Sequence, residues 1–363
     1  MASNNELTCY MNGAIEQMVK DILKSTLQNP KETAYLFQLR AHTKRNEKRR
    51  LAQEAAGQHI PAFLICSITH TCNLFCAGCY ARANGLCAET AKMELLSAAK
   101  WRSIFEQAAE LGISFSLLAG GEPLLRRDVM EEAAKVESVT FPIFTNGTLI
   151  DEAYASFFDA HRNLVPVLSI EGGRQRTDAR RGEGTYEKLM DTMALLKAHK
   201  LLFGVSVTVT RENLIEVTSE AFMDMLQKSG CRLVFFIEYV PADPSTRHLA
   251  PTDEDRALLE EKQDALRLRY PSISFISFPG DEKYMGGCLA AGRGFFHINP
   301  YGSAEPCPFS PYSDRSLTDH TLLEVLQSPL FRMLQTEGLV GGEHIGGCAL
   351  FEQEALVKQC LQQ

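Results

Sequence analysis

Three cysteines, Cys72, Cys76 and Cys79, stand within one segment of eight residues. Soft thiolates of this kind suit iron–sulfur clusters and zinc. Structural zinc sites take four ligands, commonly from CxxC pairs, and no fourth residue with that spacing stands nearby. Three cysteines on a cubane of four irons would leave one iron open to a cofactor or a substrate. The spacing therefore favours an iron–sulfur cluster, with zinc and a disulfide as the alternatives.

The composition of the 363-residue chain bears on this choice. Its formal net charge of −8 and its sequence pI of about 5.7 argue against a surface that binds nucleic acid. No N-terminal apolar run is long enough for a signal peptide, and no window approaches the ~20 apolar residues of a membrane-spanning helix. We therefore expect a cytoplasmic protein without a membrane partner. In a reducing cytosol its eleven cysteines indicate metal ligands or catalytic groups sooner than disulfides.

The elements that must position these thiols alternate between strands and helices. Apolar, β-prone runs predict six strands, at 63–69, 113–118, 140–145, 164–170, 202–210 and 232–239. Helical patterns predict one helix that begins after Ser97 and ends at Gly112, and others at 128–136, 151–161, 185–200 and 214–228. Two more helices are expected before the first strand, at 11–27 and 31–56. The order indicates a parallel, right-handed β/α sheet, either a partial barrel or an open one.

Unusual loops follow the first four predicted strands. The cysteine segment comes after the first strand, and the residues after the next three strands are Gly120, Gly121, Glu122 and Pro123, then Thr145, Asn146 and Gly147, then Ser169, Ile170, Glu171, Gly172 and Gly173. In such folds the ligand site lies at the carboxyl ends of the strands. The four loops should therefore converge on one rim, which we predict to be the active site.

Together these motifs resemble a known family. The pattern CxxxCxxC followed by Tyr80, after a first strand and before a β/α series, is similar to that of the radical SAM superfamily, over about 61–239. The segment 120–123 resembles the GGEP element of the family, whose backbone and glutamate receive the methionyl ammonium of S-adenosylmethionine (SAM). The segment 145–147 matches the loop that lies near the adenosine.

Two further segments agree with this resemblance. Ser169 and Glu171 lie in a turn similar to the family's S-[IL]-D-G, with glutamate in place of the commoner aspartate. Arg181 begins a segment similar to RGxGTY, in which an arginine approaches the SAM carboxylate. The resemblance implies a [4Fe–4S] cluster on Cys72, Cys76 and Cys79, with SAM on the fourth iron. It further implies reductive cleavage of SAM to methionine and a 5′-deoxyadenosyl radical, which abstracts a hydrogen atom from the substrate under anaerobic conditions.

A second set of cysteines stands near the C-terminus. The turn signal at 299–302 predicts a hairpin with Cys288 and Cys307 near its ends. The pattern C-x₁₃-G-x₄-C is similar to the opening of the SPASM and Twitch domains, which carry one or two auxiliary clusters. The full SPASM pattern continues with a CxxC-rich second half, and this sequence departs from it, since only Cys348 and Cys360 follow. The resemblance therefore implies one auxiliary [4Fe–4S] cluster on Cys288, Cys307 and Cys348, with Cys360 as the candidate for the fourth ligand.

These expectations combine into an α/β chain of three parts. We predict a helical N-terminal extension at 1–60, a radical SAM core at 61–245 as a partial (β/α)6 barrel with parallel strands, and a small α+β auxiliary-cluster domain at 246–363. Asp281 and Glu282 are candidates for a base, with ordinary surface groups as the alternative. Cys87, in a loop, is a candidate donor of a hydrogen atom.

The resemblance implies classes of substrate and partner. Maturation of a peptide or protein is the commonest reaction, and oxidative modification of a small molecule or tetrapyrrole is the alternative. A flavodoxin or ferredoxin is the expected electron donor. A different class, a non-catalytic iron–sulfur electron carrier or a zinc-binding structural protein, would not need the glycine-rich loops at the strand ends.

Overall fold

The computed structural model places its strands in one sheet. The residues it describes are 7–8, 11–13, 15–17, 20, 30–85, 87, 93–278, 280–340 and 348–362. The strands are β1 Phe63–Ser67, β2 Phe115–Ala119, β3 Phe141–Thr145, β4 Leu164–Ser169, β5 Gly204–Val209, β6 Leu233–Glu238, β7 Ser274–Phe278, β8 His297–Ile298, β9 Ser303–Glu305 and β10 Arg315–Ser316. Their order across the sheet is β10-β9-β8-β1-β2-β3-β4-β5-β6-β7.

The α/β fold with a parallel sheet is confirmed. All six predicted strands are present, and each pairs in parallel with the next along the chain. Because β7 and β10 lie at opposite ends of the strand order, the sheet is open.

Helices connect the strands. They are α1 Pro30–Ala55, α2 Tyr80–Ala83, α3 Ala98–Leu111, α4 Arg127–Ala134, α5 Glu152–Ala160, α6 Arg174–Arg181, α7 Thr185–Ala198, α8 Leu214–Val217, α9 Glu220–Ser229, α10 Asp253–Arg269, α11 Leu322–Leu326, α12 Pro329–Thr336, α13 Ala349–Glu352 and α14 Glu354–Gln362. The bounds of α3 are those predicted. Ser97 accepts a hydrogen bond from the Lys100 amide at 3.2 Å, and Gly112 ends the helix with a left-handed φ of 87°.

Several elements of the described residues differ from the sequence prediction. The helix predicted at 214–228 is divided into α8 and α9, because Ser219 begins a new helix by accepting a hydrogen bond from Phe222. Helix α6 and strand β7 were not predicted. The helix predicted at 11–27 lies largely outside the described residues.

Helix α1 covers the amino ends of the central strands. Tyr35, Leu36 and Leu39 pack in one apolar cluster with Val165, Leu202 and Leu233. The Tyr35 hydroxyl lies 3.1 Å from the Thr140 hydroxyl, just before β3. The helix therefore closes one end of the sheet, and the opposite end, where the strands finish, is left for a site.

The C-terminal part of the chain joins both edges of the predicted six-stranded core. Strand β7 pairs in parallel with β6, and β8 pairs in parallel with β1. Strands β8 and β9 form the predicted antiparallel hairpin around residues 299–302. None of the helices in the described ranges is both long and apolar enough to span a membrane.

Candidate active site

The three clustered cysteines line a cavity at the carboxyl ends of the strands. Cys72, Cys76 and Cys79 contribute to the walls of a space of about 840 Å³, together with Gly120, Gly121, Glu122, Asn146, Ser169, Arg180 and Arg181. Apolar side chains from the strands continue the walls of the cavity, among them Phe63, Phe144 and Phe235. The structure thus brings residues of all four predicted loops to one cavity.

The Gly120–Gly121 turn fits tightly against the cysteine loop. The Gly121 amide donates to the Thr69 carbonyl, and the Glu122 amide donates to the Thr71 carbonyl, each at 2.8 Å. A Cβ atom on Gly121 would lie 2.1 Å from the Thr71 oxygen, and one on Gly120 would lie 2.4 Å from the Thr69 oxygen. Glycine is required here because two backbones meet at the start of the cysteine loop.

The Glu122 carboxylate links the second and third loops. It is 1% exposed and accepts hydrogen bonds from the Thr145 hydroxyl at 2.6 Å, the Asn146 amide at 2.8 Å and the Leu124 amide at 3.1 Å. Burial raises the pKa of Glu122, although these three hydrogen bonds act to lower it. The side-chain amide nitrogen of Asn146 donates to the side-chain oxygen of Asn73, within the cysteine loop, at 2.9 Å.

A buried ion-pair network lies beside Cys76. Glu171 is 2% exposed and accepts from the Arg181 Nε at 2.9 Å, while the Arg180 guanidinium lies 2.8 Å away. Arg181 also approaches the Cys76 sulfur at 4.0 Å. The backbone of Arg180 accepts from Ala77 at 2.8 Å, so the end of α6 is bound to the cysteine loop. Arg180 was not among the predicted site residues.

Two further contacts complete this rim. The hydroxyl of Ser169, at the end of β4, lies 3.2 Å from the hydroxyl of Ser206, within β5. Tyr239, after β6, packs against Gly78, and a Cβ atom on Gly78 would lie 2.3 Å from the Tyr239 hydroxyl oxygen. The contact of Gly78 with Tyr239 could not be predicted from the motif, because it joins residues 161 positions apart.

The donor set suits a four-iron cubane. Burial raises the pKa of Cys72 to about 11 and also raises the pKa of Cys76, where Arg181 opposes it. Partly buried thiols of this kind become thiolates when a metal replaces their protons. In the described part of the chain, no three His, Cys, Asp or Glu side chains converge closely enough to hold one metal ion. A cubane places each thiolate on a different iron, so it takes sulfurs that stand farther apart than the ligands of a single ion.

Comparisons with known proteins agree with this geometry. The family description that matches residues 66–228 is the Radical SAM superfamily. This segment of the chain is a radical SAM domain. Members of this superfamily use a [4Fe–4S] cluster with SAM.

Individual relatives extend the comparison. PqqA peptide cyclase of Rhizobium meliloti (strain 1021) is 28% identical over 257 residues, which cover 68% of this chain and 67% of the relative. AdoMet-dependent heme synthase of Methanosarcina barkeri (strain Fusaro / DSM 804) is 23% identical over 331 residues, covering 84% and 92%. Streptococcus suis SuiB, solved with S-adenosylmethionine, matches with a TM-score of 0.65 at 17% identity, covering 80% and 72%. It has also been solved with its precursor peptide SuiA. At this identity the likeness to SuiB shows the fold.

Some cysteines of the second set in this radical SAM enzyme lie close to one another. The Cys307 and Cys348 thiols are hydrogen-bonded to each other, and Cys288 interacts electrostatically with both. Burial raises the pKa of Cys288 and of Cys307 well above the usual range. Cys360 lies on α14, where burial and the negative charge of Glu337 raise the pKa of its thiol. The structure therefore brings three of the four predicted auxiliary ligands together and leaves Cys360 apart from them.

The candidates for a base or a hydrogen donor occupy different settings. Asp281 accepts two contacts from Arg267, at 2.9 and 3.2 Å, and one from the Ser277 amide at 2.8 Å. Glu282 is 3% exposed, and burial raises its pKa to about 8. Cys87 is 7% exposed, and burial raises its pKa as well. Glu282 is therefore not the exposed surface group that the sequence allowed.

Proposed function

We propose that this enzyme cleaves SAM reductively at the Cys72, Cys76 and Cys79 site and takes a hydrogen atom from a peptide in a maturation step. The observation that carries the proposal is the convergence of these thiols, the Gly120–Gly121 turn and the Arg181 network on one cavity. When bound, the cluster and SAM supply the one-electron chemistry that gives methionine and a 5′-deoxyadenosyl radical.

The residues of the chain prepare and protect that chemistry. Cys72, Cys76 and Cys79 would hold three corners of the cluster and leave the fourth for SAM. The turn at Gly120–Gly121, locked against the cysteine loop, would present backbone groups to the methionyl end. Arg181 would keep a positive charge near Cys76, where the carboxylate of SAM is expected. The apolar walls of the cavity would exclude water from the radical.

Peptide chemistry is supported by the names of the relatives and by the size of the cavity. One relative is a peptide cyclase, and SuiB, which has the same fold, binds a precursor peptide. A cavity of about 840 Å³ with mainly apolar walls can admit a side chain together with SAM. The haem synthase relative favours oxidative modification of a tetrapyrrole as the second candidate.

The finer parts of the proposal concern partners and a second cluster. Cys288, Cys307 and Cys348 would hold one auxiliary [4Fe–4S] cluster in a SPASM/Twitch-like part of the chain. A flavodoxin or ferredoxin would deliver the electron. We assign the protein to the cytoplasm, a location supported by the ten cysteines in the described ranges, all of which are free thiols.

Anaerobic reconstitution followed by dithionite and SAM tests the proposal. We expect 5′-deoxyadenosine by chromatography from the native chain and none from the Cys76→Ala variant, because the cluster loses one of its three protein ligands. The control is Cys231→Ala, since Cys231 is a fully buried core residue with no place in the site. Failure of a fully iron-loaded native sample to form 5′-deoxyadenosine would contradict the assignment.

The substrate class needs a separate measurement. Transfer of deuterium from a labelled substrate into 5′-deoxyadenosine reports which molecule loses the hydrogen atom. We expect transfer from a peptide, and transfer from a porphyrin instead would favour the second candidate.

A further inference from the structure

The cysteine loop separates the cavity from solvent. Cys72, Cys76 and Cys79 line the cavity, whereas Phe75, which lies between them in the sequence, is not among the described residues that line it. The Phe75 side chain is instead 68% exposed. Exposed residues alternate with partly buried ones along this stretch, the exposed ones being Asn73, Phe75 and Ala77. The loop therefore has an inner side that carries the thiols and an outer side that carries Phe75.

Phe75 is held on the outer side by an arginine. The Cζ atom of Arg82, on α2, lies 3.9 Å from the centroid of the Phe75 ring, and the same guanidinium donates to the Leu74 carbonyl at 2.9 Å. A cation over an aromatic ring is attracted by the negative face of the ring. These contacts fix the ring on one side, while most of its surface stays exposed to solvent. Phe75 and Arg82 therefore form a preorganised pair, and preorganisation favours the binding of a partner.

Arginines flank this surface, although the whole chain has a formal net charge of −8. Arg82 bonds to the loop backbone at the Leu74 carbonyl, and Arg180 bonds to it at the Ala77 carbonyl, at 3.2 Å. Arg180 is paired with the buried Glu171, whereas Arg82 forms no ion pair within the described ranges. Arg82 can therefore pair with a carboxylate of a partner, and the positive charge favours an acidic one.

The outer side of the loop is also where an electron can reach the first cluster. In the proposed function SAM takes the corner of that cluster that faces the cavity, and the cysteines take the other three. A protein donor cannot enter a cavity of about 840 Å³, so it has to approach from outside the loop. Phe75 is the exposed residue that directly precedes Cys76. A donor seated on Phe75 would be separated from the cluster by the loop alone.

We propose that Phe75 and Arg82 form the docking point for the electron donor, a flavodoxin-type protein with carboxylates around its flavin. The inference rests on the proposed function, since it takes the first cluster to be held by Cys72, Cys76 and Cys79. The reduced flavin would give up one electron, and the cluster would take it up. The Phe75 ring would be buried against the donor while Arg82 pairs with one of its carboxylates. Aromatic residues and arginine are the types enriched in protein interfaces.

Binding of purified flavodoxin tests the docking point. Its dissociation constant for the reconstituted full chain is measured anaerobically, from the change in flavin fluorescence, with the native chain, Phe75→Ala and Arg82→Gln. The matched control is Phe37→Ala, because Phe37 is also exposed, at 55%, but belongs to α1 at the opposite end of the sheet. Iron content and the yield of 5′-deoxyadenosine with dithionite, a small-molecule donor, show whether the site is intact in each variant.

We expect Phe75→Ala to raise the dissociation constant about tenfold, as loss of an interface anchor does, and Phe37→Ala to leave it unchanged. Arg82→Gln should raise it as well and weaken its dependence on salt, because one charge pair is lost while the glutamine amide can still donate to the Leu74 carbonyl. With dithionite, all three variants should match the native chain in iron content and in 5′-deoxyadenosine.

Equal dissociation constants for Phe75→Ala and Phe37→Ala would overturn the docking point, as would failure of the native chain to bind flavodoxin. Loss of iron from Phe75→Ala would overturn it too, by showing that the ring supports the cysteine loop instead. A native dimer that dissociates in Phe75→Ala would assign this surface to a second copy of the chain. Formation of 5′-deoxyadenosine by the native chain with dithionite decides the proposed reaction separately, whatever the affinity for flavodoxin.

Discussion

Glu171 is the single carboxylate that two arginines beside the cysteine loop share. Burial alone would lower the pKa of Arg181, because it disfavours the charged form. The interactions with Glu171 and Cys76 outweigh burial and raise the pKa above its usual range. The Thr208 amide also donates to the Glu171 carboxylate, at 3.2 Å. The longer side chain that stands here in place of the family's aspartate thus serves to fix the arginines.

Glu171→Gln should lower the free energy of unfolding by about 3 kcal/mol, because it leaves two arginines without their buried partner. Anaerobic denaturant unfolding measures this change. Glu187→Gln is the matched control, since its ion pair with Arg174 is exposed on both sides and should contribute little to stability. Equal losses in the two variants would contradict the role given to Glu171.

A substitution at Gly78 tests how closely the cysteine loop packs against Tyr239. Gly78→Ala should abolish reconstitution of the first cluster, because the new Cβ would lie 2.3 Å from the Tyr239 hydroxyl and the backbone has a left-handed φ of 65°. The measurement is the iron content per chain.

Gly85→Ala separates these two causes. Gly85 has a similar φ of 72°, but no atom of the described residues lies within 4 Å of its Cβ position. This control should bear only the backbone cost of about 1–2 kcal/mol and keep its iron. If both alanine variants lose iron equally, the contact with Tyr239 is not the cause.

At the scale of elements, α1 is attached to the sheet through a buried acid. Glu32 accepts from Arg162 at 2.6 Å and is 2% exposed. Burial raises the pKa of Glu32 to about 7, although Arg162 opposes it. The folded chain therefore keeps a proton that the unfolded chain releases near pH 4.5.

A raised pKa of this kind lowers stability as the pH rises from about 4.5 to about 7. The expected loss from Glu32 is on the order of 3 kcal/mol, and it should not increase above that range. Unfolding curves of the native chain and of Glu32→Gln across this range isolate the effect from other titrating groups. The two chains should diverge progressively with rising pH, and parallel curves would show that Glu32 keeps its ordinary pKa.

The helices and strands of the core were predictable because their signals are local. Ser97 and Gly112 mark the ends of α3 by capping and by a left-handed turn, and both signals depend only on neighbouring residues. The division between α8 and α9 escaped prediction, since Ser219 is compatible with a helix interior as well as with its beginning. The four site loops were found because parallel strands bring their carboxyl ends together.

Contacts between distant segments were not predictable in the same way. The short helix α6 is strongly polar, and its pairing of Arg180 with the cysteine loop depends on the Glu171 position in space. Cys360 lies on α14, where burial and the charge of Glu337 raise the pKa of its thiol, and its part in an auxiliary cluster stays a prediction. Residue types identified the chemistry, while the tertiary fold selected which residues take part.

At the scale of the whole molecule, the C-terminal residues cover both edges of the six-stranded core. Strand β7 matches β6 over five residue pairs, and β8 occupies the free edge of β1. Phe63 on β1 stacks on Phe295 with ring centroids 5.2 Å apart. Unpaired edges and exposed apolar faces favour aggregation, so these strands protect the core.

The fragment 61–245, the predicted core by itself, should therefore fail to fold as an independent unit. It would expose the edges of β1 and β6, remove the ring that stacks on Phe63, and lose α1 from the amino ends of the strands. The fragment 30–340 keeps all ten strands and α1, so it should melt cooperatively and serves as the control. Soluble yield and thermal melting by circular dichroism distinguish the two. A cooperative transition of 61–245 at the temperature of the longer fragment would mean that the core is stable without its added strands, and that residues near 245 form a genuine domain boundary.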